Sequence, residues 1–315
     1  LDFHLIFKSF SFNFYYRNKR TMKRCELDYR KYVVALREKA KVGPKAFQQL
    51  LMSFGSPENV YNASKEELLS LPRMTPEKAE QILKSQDWLP EIEEHLLYLE
   101  EQEIGILTIL DDNYPQLLKQ IDDPPPLLYF KGEFPVREQI FVAVIGTHRG
   151  YTTQRIELAV QIGKNLAQRE VVVVSGLAEG IDAAAHLGAL NQEGKTYAVL
   201  GSGLNKIYPS DNTGLAKEIS ENGALITEYN LDVPVKVGQL MARNRIVVGL
   251  SQAVIVVEMD EKSAGTMDAA DLASKQGKPL FVIRKEGSQK VEELIDQGAV
   301  ALQGVDDLDL VVNYL

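Results

Sequence analysis

Residues 171–190, VVVVSGLAEGIDAAAHLGAL, constrain the fold of this chain more than any other stretch. Val171 to Val174 form an unbroken β-branched run, the pattern of a strand buried on both faces, as in a parallel sheet. Ser175-Gly176 ends the strand, Leu177, Ala178, Glu179 and Gly180 make a short turn, and an Ala-rich segment from Asp182 to Leu190 reads as a helix. Strand, glycine turn and helix N-terminus together can cradle an anion, because the first amides of a helix lack intrahelical partners and the dipole favours negative charge. The same pattern fits an ordinary βα turn with no ligand, and Glu179 and Asp182 oppose a bare phosphate unless basic residues arrive from elsewhere.

The rest of the C-terminal half repeats this alternation. Strands are predicted at 140–146, 171–175, 196–201, 224–228, 253–258 and 279–284, with helices near 153–168, 181–190, 212–221, 238–250 and 266–276. The expected fold class is α/β: a Rossmann-like, doubly wound, mostly parallel sheet with right-handed crossovers. Ahead of it, residues 28–99 carry helical periodicity, and two segments, KVGPKAFQQLL at 41–51 and LPRMTPEKAEQIL at 71–83, read as helix–turn–helix corners with proline at the first helical position. They resemble helix-hairpin-helix motifs, but the hairpin glycines are mostly replaced: Lys41 accompanies Gly43 in the first, and Arg73 and Thr75 stand in the second. A packing or protein-contact role is therefore expected there, rather than a grip on DNA. Short strands are expected at 104–110 and 127–131, flanking a stiff Asp122-Asp123-Pro124-Pro125-Pro126 segment.

The expected organisation is an atypical tail at 1–22, a small helical domain that resembles SAM-like domains, with its connector, at 23–135, and the Rossmann-like domain at 136–315. In the tail, Phe3, Phe7, Phe10, Phe12 and Phe14 precede Arg17, Lys19 and Arg20, the reverse of a signal peptide, and Met22 reads as the true start. With 35 Lys and Arg against 44 Asp and Glu, the net charge of −9 argues against a generic polyanion binder. Any nucleic-acid site must gather positive charge locally. One cysteine, Cys25, excludes an internal disulfide and a Cys-based zinc cluster, and suits a reducing cytoplasm. No apolar run is long enough for a bilayer, so no membrane partner is expected.

In open α/β sheets, ligands bind beyond the carboxyl ends of the strands. Four such ends carry glycine or polar loops: Gly146-Thr147-His148-Arg149-Gly150, Ser175-Gly176-Leu177-Ala178 with Gly180, Gly201-Ser202-Gly203 with Lys206, and Ser263-Ala264-Gly265-Thr266. Arg243-Asn244-Arg245 adds two cations, which point to different faces of a helix. Nicotinamide chemistry is not indicated, since Gly201-Ser202-Gly203 is followed by Lys206 where a third glycine is needed. Nor is there a G-K-[ST] phosphate loop. His186, on the Ala-rich helix, reads as a satisfied, partly buried histidine rather than a catalyst.

Taken together, SGLAEGIDAAAHLGAL, LGSGLNKIYPSDN at 200–212, ITEY at 226–229 and ARNRIVVGLSQAVIVVE at 242–258 resemble the DprA/Smf DNA-processing family in order and spacing, and DDPPPLLYFKG at 122–132 resembles its entry into the Rossmann domain. The resemblance implies a non-enzymatic protein that needs no cofactor. It would bind single-stranded DNA, form a homodimer through its Rossmann domain, and load a RecA-type recombinase during DNA uptake and recombination. It implies a DNA site drawn from Gly146, Thr147, His148, Arg149, Ser175, Gly176, Leu177, Ala178, Gly180, Gly201, Gly203, Lys206, Arg243, Asn244, Arg245, Gly265 and Thr266. The family's G-S-R after the first strand reads Gly146-Thr147-His148 here, its following serine is Tyr151, its F-P before R-N-R is Leu240-Met241, and its S-G-S-L-I-T-A block reads SAGTMDAA at 263–270. The winged helix that some members carry is not expected within these 315 residues. Arg149 is expected to supply the charge that the displaced arginine lost, with His148 supplementing it in acid, since a histidine is mostly neutral at pH 7. Arg243 is expected to reach DNA while Arg245 holds the helix or a neighbouring loop. The competing readings are a nucleotide-binding protein and a nucleotide-ribose hydrolase of the lysine-decarboxylase-like group. The hydrolase's P-G-G-x-G-T-x-x-E pattern keeps Gly265 and Thr266 but places Ala269 at the catalytic Glu, with Asp268 one position early.

Overall fold

The computed structural model describes residues 29–133, 139–260 and 263–315. The expected tail at 1–22 lies outside them. The chain forms two compact units divided between Gln102 and Glu103.

The first unit is helical. Helix α1 spans 29–34 and runs into a π turn at Ala35–Lys39, followed by α2 (Pro44–Phe54), α3 (Pro57–Asn62), α4 (Lys65–Leu69), α5 (Pro76–Lys84) and α6 (Leu89–Glu101). Proline opens α2 and α5 as expected, where its missing N–H costs no helical bond. Thr75 caps α5 by accepting the Lys78 N–H. The hairpin positions that lack glycine keep a glycine-like backbone: Lys41 has φ 52° and Arg73 φ 61°. Lys78 ties the hairpins together, donating its ammonium to the carbonyls of Ala40 (2.9 Å) and Lys41 (3.2 Å).

The second unit is built on β1 (Ile104–Thr108), β2 (Leu127–Gly132), β3 (Ile140–Gly146), β4 (Val171–Ser175), β5 (Thr196–Val199), β6 (Gly223–Thr227), β7 (Ala253–Glu258), β8 (Leu280–Ile283) and β9 (Val300–Leu302). They join one sheet in the order β1-β2-β6-β5-β4-β3-β7-β8-β9. From β6 to β9 every pairing is parallel, while β1–β2 and β2–β6 are antiparallel. The helices are α7 (Gln116–Lys119), α8 (Thr153–Gln168), α9 (Ile181–Leu190), α10 (Thr213–Glu221), α11 (Val237–Leu250), α12 (Ala264–Lys275), α13 (Gln289–Asp296) and α14 (Leu308–Val312).

The doubly wound α/β class is thus observed, with one difference in its limits. The sequence reading places residues up to 135 with the helical domain, whereas β1 and β2 belong to the sheet and the two compact units divide at Gln102/Glu103. Alternation marks a strand without naming its partner: β1 pairs with β2, and β2 with β6, which is distant in sequence.

The valine run of β4 is buried throughout, as its pattern requires. It packs with Val142, Val144, Ile255 and Val257 under α8 and α9. The two helices approach closely through small residues: a side chain on Gly163 would strike the Ala185 backbone, and one on Gly188 the Val160 backbone. Chain order runs from β3 through β4, β5 and β6 in one direction, then returns to place β7 on the other side of β3. The topological switch point, where such sheets open a crevice for a ligand, is therefore between the carboxyl ends of β3 and β7.

Candidate functional site

A crevice of about 450 Å³ lies at this switch point. One side is the β3–α8 loop. Gly146 packs on Ile181, leaving no room for a side chain. Thr147 donates its N–H to the Glu258 carbonyl at the end of β7 (2.9 Å), and its hydroxyl bonds the Arg149 carbonyl (2.6 Å) and N–H (3.2 Å). The backbone of the loop is thereby fixed while the side chains of His148 and Arg149 stand exposed at the rim.

The floor is the β4–α9 turn. Ser175 donates its hydroxyl to the Val144 carbonyl (2.7 Å), pinning β4 to β3. Leu177 (φ 59°) and Gly180 (φ 87°) turn the chain in left-handed conformations. The fully buried Leu177 accepts the Asn212 amide through its carbonyl (2.9 Å), and Gly180 packs beneath the Tyr151 ring. Tyr151 bridges the two loops, donating its hydroxyl to Glu179 (2.9 Å), a bond that raises the phenol's pKa.

The turn is not the open cradle that its glycines suggest. The carboxylate of Asp182 accepts the N–H of Gly176 (3.1 Å) and of Ala178 (3.4 Å) and lies 3.9 Å from the Arg243 guanidinium. Asp182 and Arg243 are 5% and 7% exposed, so this ion pair is part of the interior. A side chain at Gly176 would overlap the Arg243 guanidinium, which explains the glycine. Burial raises the Asp182 pKa, against the opposing pull of Arg243 and the two amides.

The remaining wall comes from α11 and α12. Leu240 and Met241, the substituted pair ahead of Arg243, line it with Val237 and, from the loop between β5 and α10, Tyr208. Asn244 donates its amide to the Gly265 carbonyl (3.2 Å) and to Asp268 (2.9 Å), fixing the start of α12. Ser263, Gly265 and Thr266 line the crevice there, and the N-cap residue Ser263 makes no side-chain capping bond. Ala269, at the position that the hydrolase pattern gives to glutamate, also lines the crevice and cannot move a proton.

The structure thus gathers Gly146, Thr147, His148, Arg149, Gly176, Ala178, Arg243, Asn244, Gly265 and Thr266 around one cavity. The others stand apart from its lining. Gly201 packs on Leu240, and Gly203 on the backbone of Asn230 and Leu231. Lys206 is exposed on the same loop. Arg245 bonds Glu228 (2.7 Å) and Asp123 (3.1 Å), holding the proline-rich segment ahead of β2. The divergence of Arg243 and Arg245 expected from their spacing is what the fold shows. Sequence reading missed Tyr208, Val237, Leu240, Met241 and Ala269 as crevice walls, because apolar residues at helical spacing carry no mark of which cavity they face. His186 is buried completely rather than partly. Its Nδ1 pairs with the Thr196 hydroxyl (2.7 Å), and burial lowers its pKa to about 3.

Among the described residues no group of His, Cys, Asp or Glu could hold a metal ion, and no helix is long and apolar enough to cross a membrane.

Sheet, switch-point crevice and N-terminal hairpins define a doubly wound α/β domain preceded by a helix-hairpin-helix unit. The model of the DNA recombination-mediator protein A family matches residues 105–312, and the chain belongs to that family. Residues 36–85 match the SAM-like helix-hairpin-helix tandem. Protein Smf of Synechocystis is 35% identical over 257 residues, covering 79% of this chain and 63% of that protein, so the chain spans less than two thirds of this relative. DNA processing protein DprA of Streptococcus pneumoniae is 38% identical over 194 residues, covering 61% of this chain and 67% of the relative. The crystal structure of the Streptococcus pneumoniae protein superposes with a TM-score of 0.73 at 31% identity, over 88% of this chain and 96% of that one. DNA processing protein A of Helicobacter pylori, whose structure addresses its single-stranded DNA binding mode, superposes with a TM-score of 0.59 at 32% identity, over 68% of this chain and 98% of that one.

Proposed function

We propose that this protein binds single-stranded DNA across the carboxyl edge of its sheet, in a non-enzymatic DNA-processing role. The observation that carries the reading is the switch-point crevice, with the exposed Arg149 at its rim and an apolar wall of Leu240, Met241 and Val237 beside it. Arginine at the rim can take a phosphate in a bidentate fork. The cavity volume is in the range of small-ligand pockets and suits one nucleotide rather than a length of strand. The phosphates run along the rim past Arg149, His148 and Lys206. One base enters the crevice over Arg243, between the apolar wall and the start of α12 at Gly265 and Thr266. Duplex DNA keeps its bases stacked and paired and cannot supply one without paying for its extrusion. Membership of the family and the single-stranded DNA binding of the Helicobacter pylori relative support the same reading. Self-association through the sheet domain, loading of a RecA-type recombinase and a cytoplasmic setting follow from it as parts of the proposal.

The test is fluorescence anisotropy with labelled oligo-dT and a matched duplex over a salt series. The single strand is expected to bind more tightly, with log affinity falling linearly in log salt by about 0.7 per phosphate neutralised. A flat salt profile, or equal affinity for duplex, would reject the proposal. Release of free base from a nucleoside monophosphate would establish the hydrolase instead.

A further inference from the structure

The β4–α9 turn brings together what usually recognises a phosphate: two converging backbone amides, a helix N-terminus and a guanidinium. Here a carboxylate of the chain already occupies that donor set. Asp182 takes the amides of Gly176 and Ala178 and faces Arg243 at 3.9 Å, and both side chains are more than nine-tenths buried. Arg243 also lines the crevice, and its Nε has no hydrogen-bond partner among the described residues. That Nε is itself buried, and the charge of Arg243 is balanced within the protein by Asp182.

We propose that Asp182 is a specificity-determining residue, the crevice's internal anion. It neutralises Arg243 and fills the amide nest, so the floor accepts a neutral hydrogen-bonding group such as a base and excludes phosphate. Phosphates are left to the rim at Arg149. The inference rests on the strand-binding reading for its biological sense, but its chemistry can be tested without DNA.

Asp182→Asn keeps an oxygen for the two amides, which share one carboxylate oxygen, and removes the charge while exchanging the other oxygen for an amide NH2. Thermal melting is followed while inorganic phosphate is titrated against sodium chloride of equal ionic strength. The variant is expected to gain a phosphate-specific rise in Tm that the wild type lacks. Glu179→Gln, a charge loss at the exposed rim, should gain none. In the oligo-dT salt series, Asp182→Asn should steepen the slope by about 0.7, one further phosphate. A wild-type response to phosphate equal to the variant's, or no response in the variant, would overturn the proposal. If wild type fails to bind oligo-dT, the DNA reading falls while the phosphate titration still decides the role of Asp182. Should Asp182→Asn not fold, Arg243→Gln decides: it should keep the wild-type salt slope, and a slope shallower by about 0.7 would mean that Arg243 already holds a phosphate.

Discussion

On the β3–α8 loop, Arg149 and His148 stand exposed over a backbone that Thr147 has fixed. On α11, Arg243 and Arg245 are buried, each against carboxylates of the same chain. The four residues border one region of the sheet but do different work. A buried cation without its partner costs several kcal/mol, so α11 can carry arginines only where Asp182, Glu228 and Asp123 meet them. An exposed cation costs the fold little and remains available to a ligand. Positive charge near a crevice is therefore no measure of its affinity for anions. What matters is whether the charge has already been answered.

This contrast should appear most strongly in Arg245→Ala. It removes the buried guanidinium that meets Glu228 and frees the segment at Asp123, and should destabilise the protein by about 3–5 kcal/mol. Urea unfolding measures it, and a loss below about 1 kcal/mol would place Arg245 with the exposed cations. Arg149→Ala should do the converse, weakening oligo-dT binding by about 1–3 kcal/mol, the range for hydrogen bonds to charged groups. Its melting temperature should stay close to wild type, and unchanged affinity would remove Arg149 from the interface.

The two histidines repeat the contrast. His186 lies beneath the floor with its pKa lowered from 6.5 to about 3. Between those values the unfolded chain binds a proton that the folded one refuses, so stability falls as pH drops. From pH 7 to pH 5 the loss from this group is about 2 kcal/mol. Comparing His186→Asn with wild type in urea at both pH values isolates it, and an equal pH dependence in the two would contradict a neutral buried His186. The smallest effect is expected from His148→Ala, which should weaken DNA binding by less than Arg149→Ala does when both are measured side by side. The reverse ranking would return the charge to the position where the family carries its arginine.

Much of the fold could be read from the chain. The valines of β4, the helix limits at 153–168 and 181–190, and the strand limits at 140–146 and 253–258 coincide with the structure, because burial on both faces and Ala-rich helices leave strong local patterns. Strand β9 and helices α13 and α14 were not anticipated. The three residues of β9 give too short a run for periodicity to register. The site was legible as four loops on one sheet edge, but the roles of their residues were not. Gly201-Ser202-Gly203 looks like a phosphate loop, yet its glycines are there because Leu240 and the backbone at 230–231 lie against them. Asp182 counted against an anion site as a repelling charge. Only the fold shows it turned back onto the amides of its own turn. Local pattern fixes the position of a side chain, while a partner distant in sequence determines whether that side chain remains free.

The β1–β2 pair has a consequence for any shortened form of the chain. β2 lies along β6, with Tyr129 opposite Thr227, and β1 covers the far side of β2, where the Phe130 ring folds over Gly105. A fragment beginning at residue 136 would retain every parallel strand and the whole crevice. It would also uncover β6, a strand buried along its full length, leaving unpaired backbone and apolar side chains at a sheet margin. Such a margin recruits other chains. Trimming by a protease between the two strands and the rest would therefore yield sticky, self-templating material rather than a smaller working domain, and residues 104–132 serve as a selvage that keeps the sheet from fraying into its neighbours.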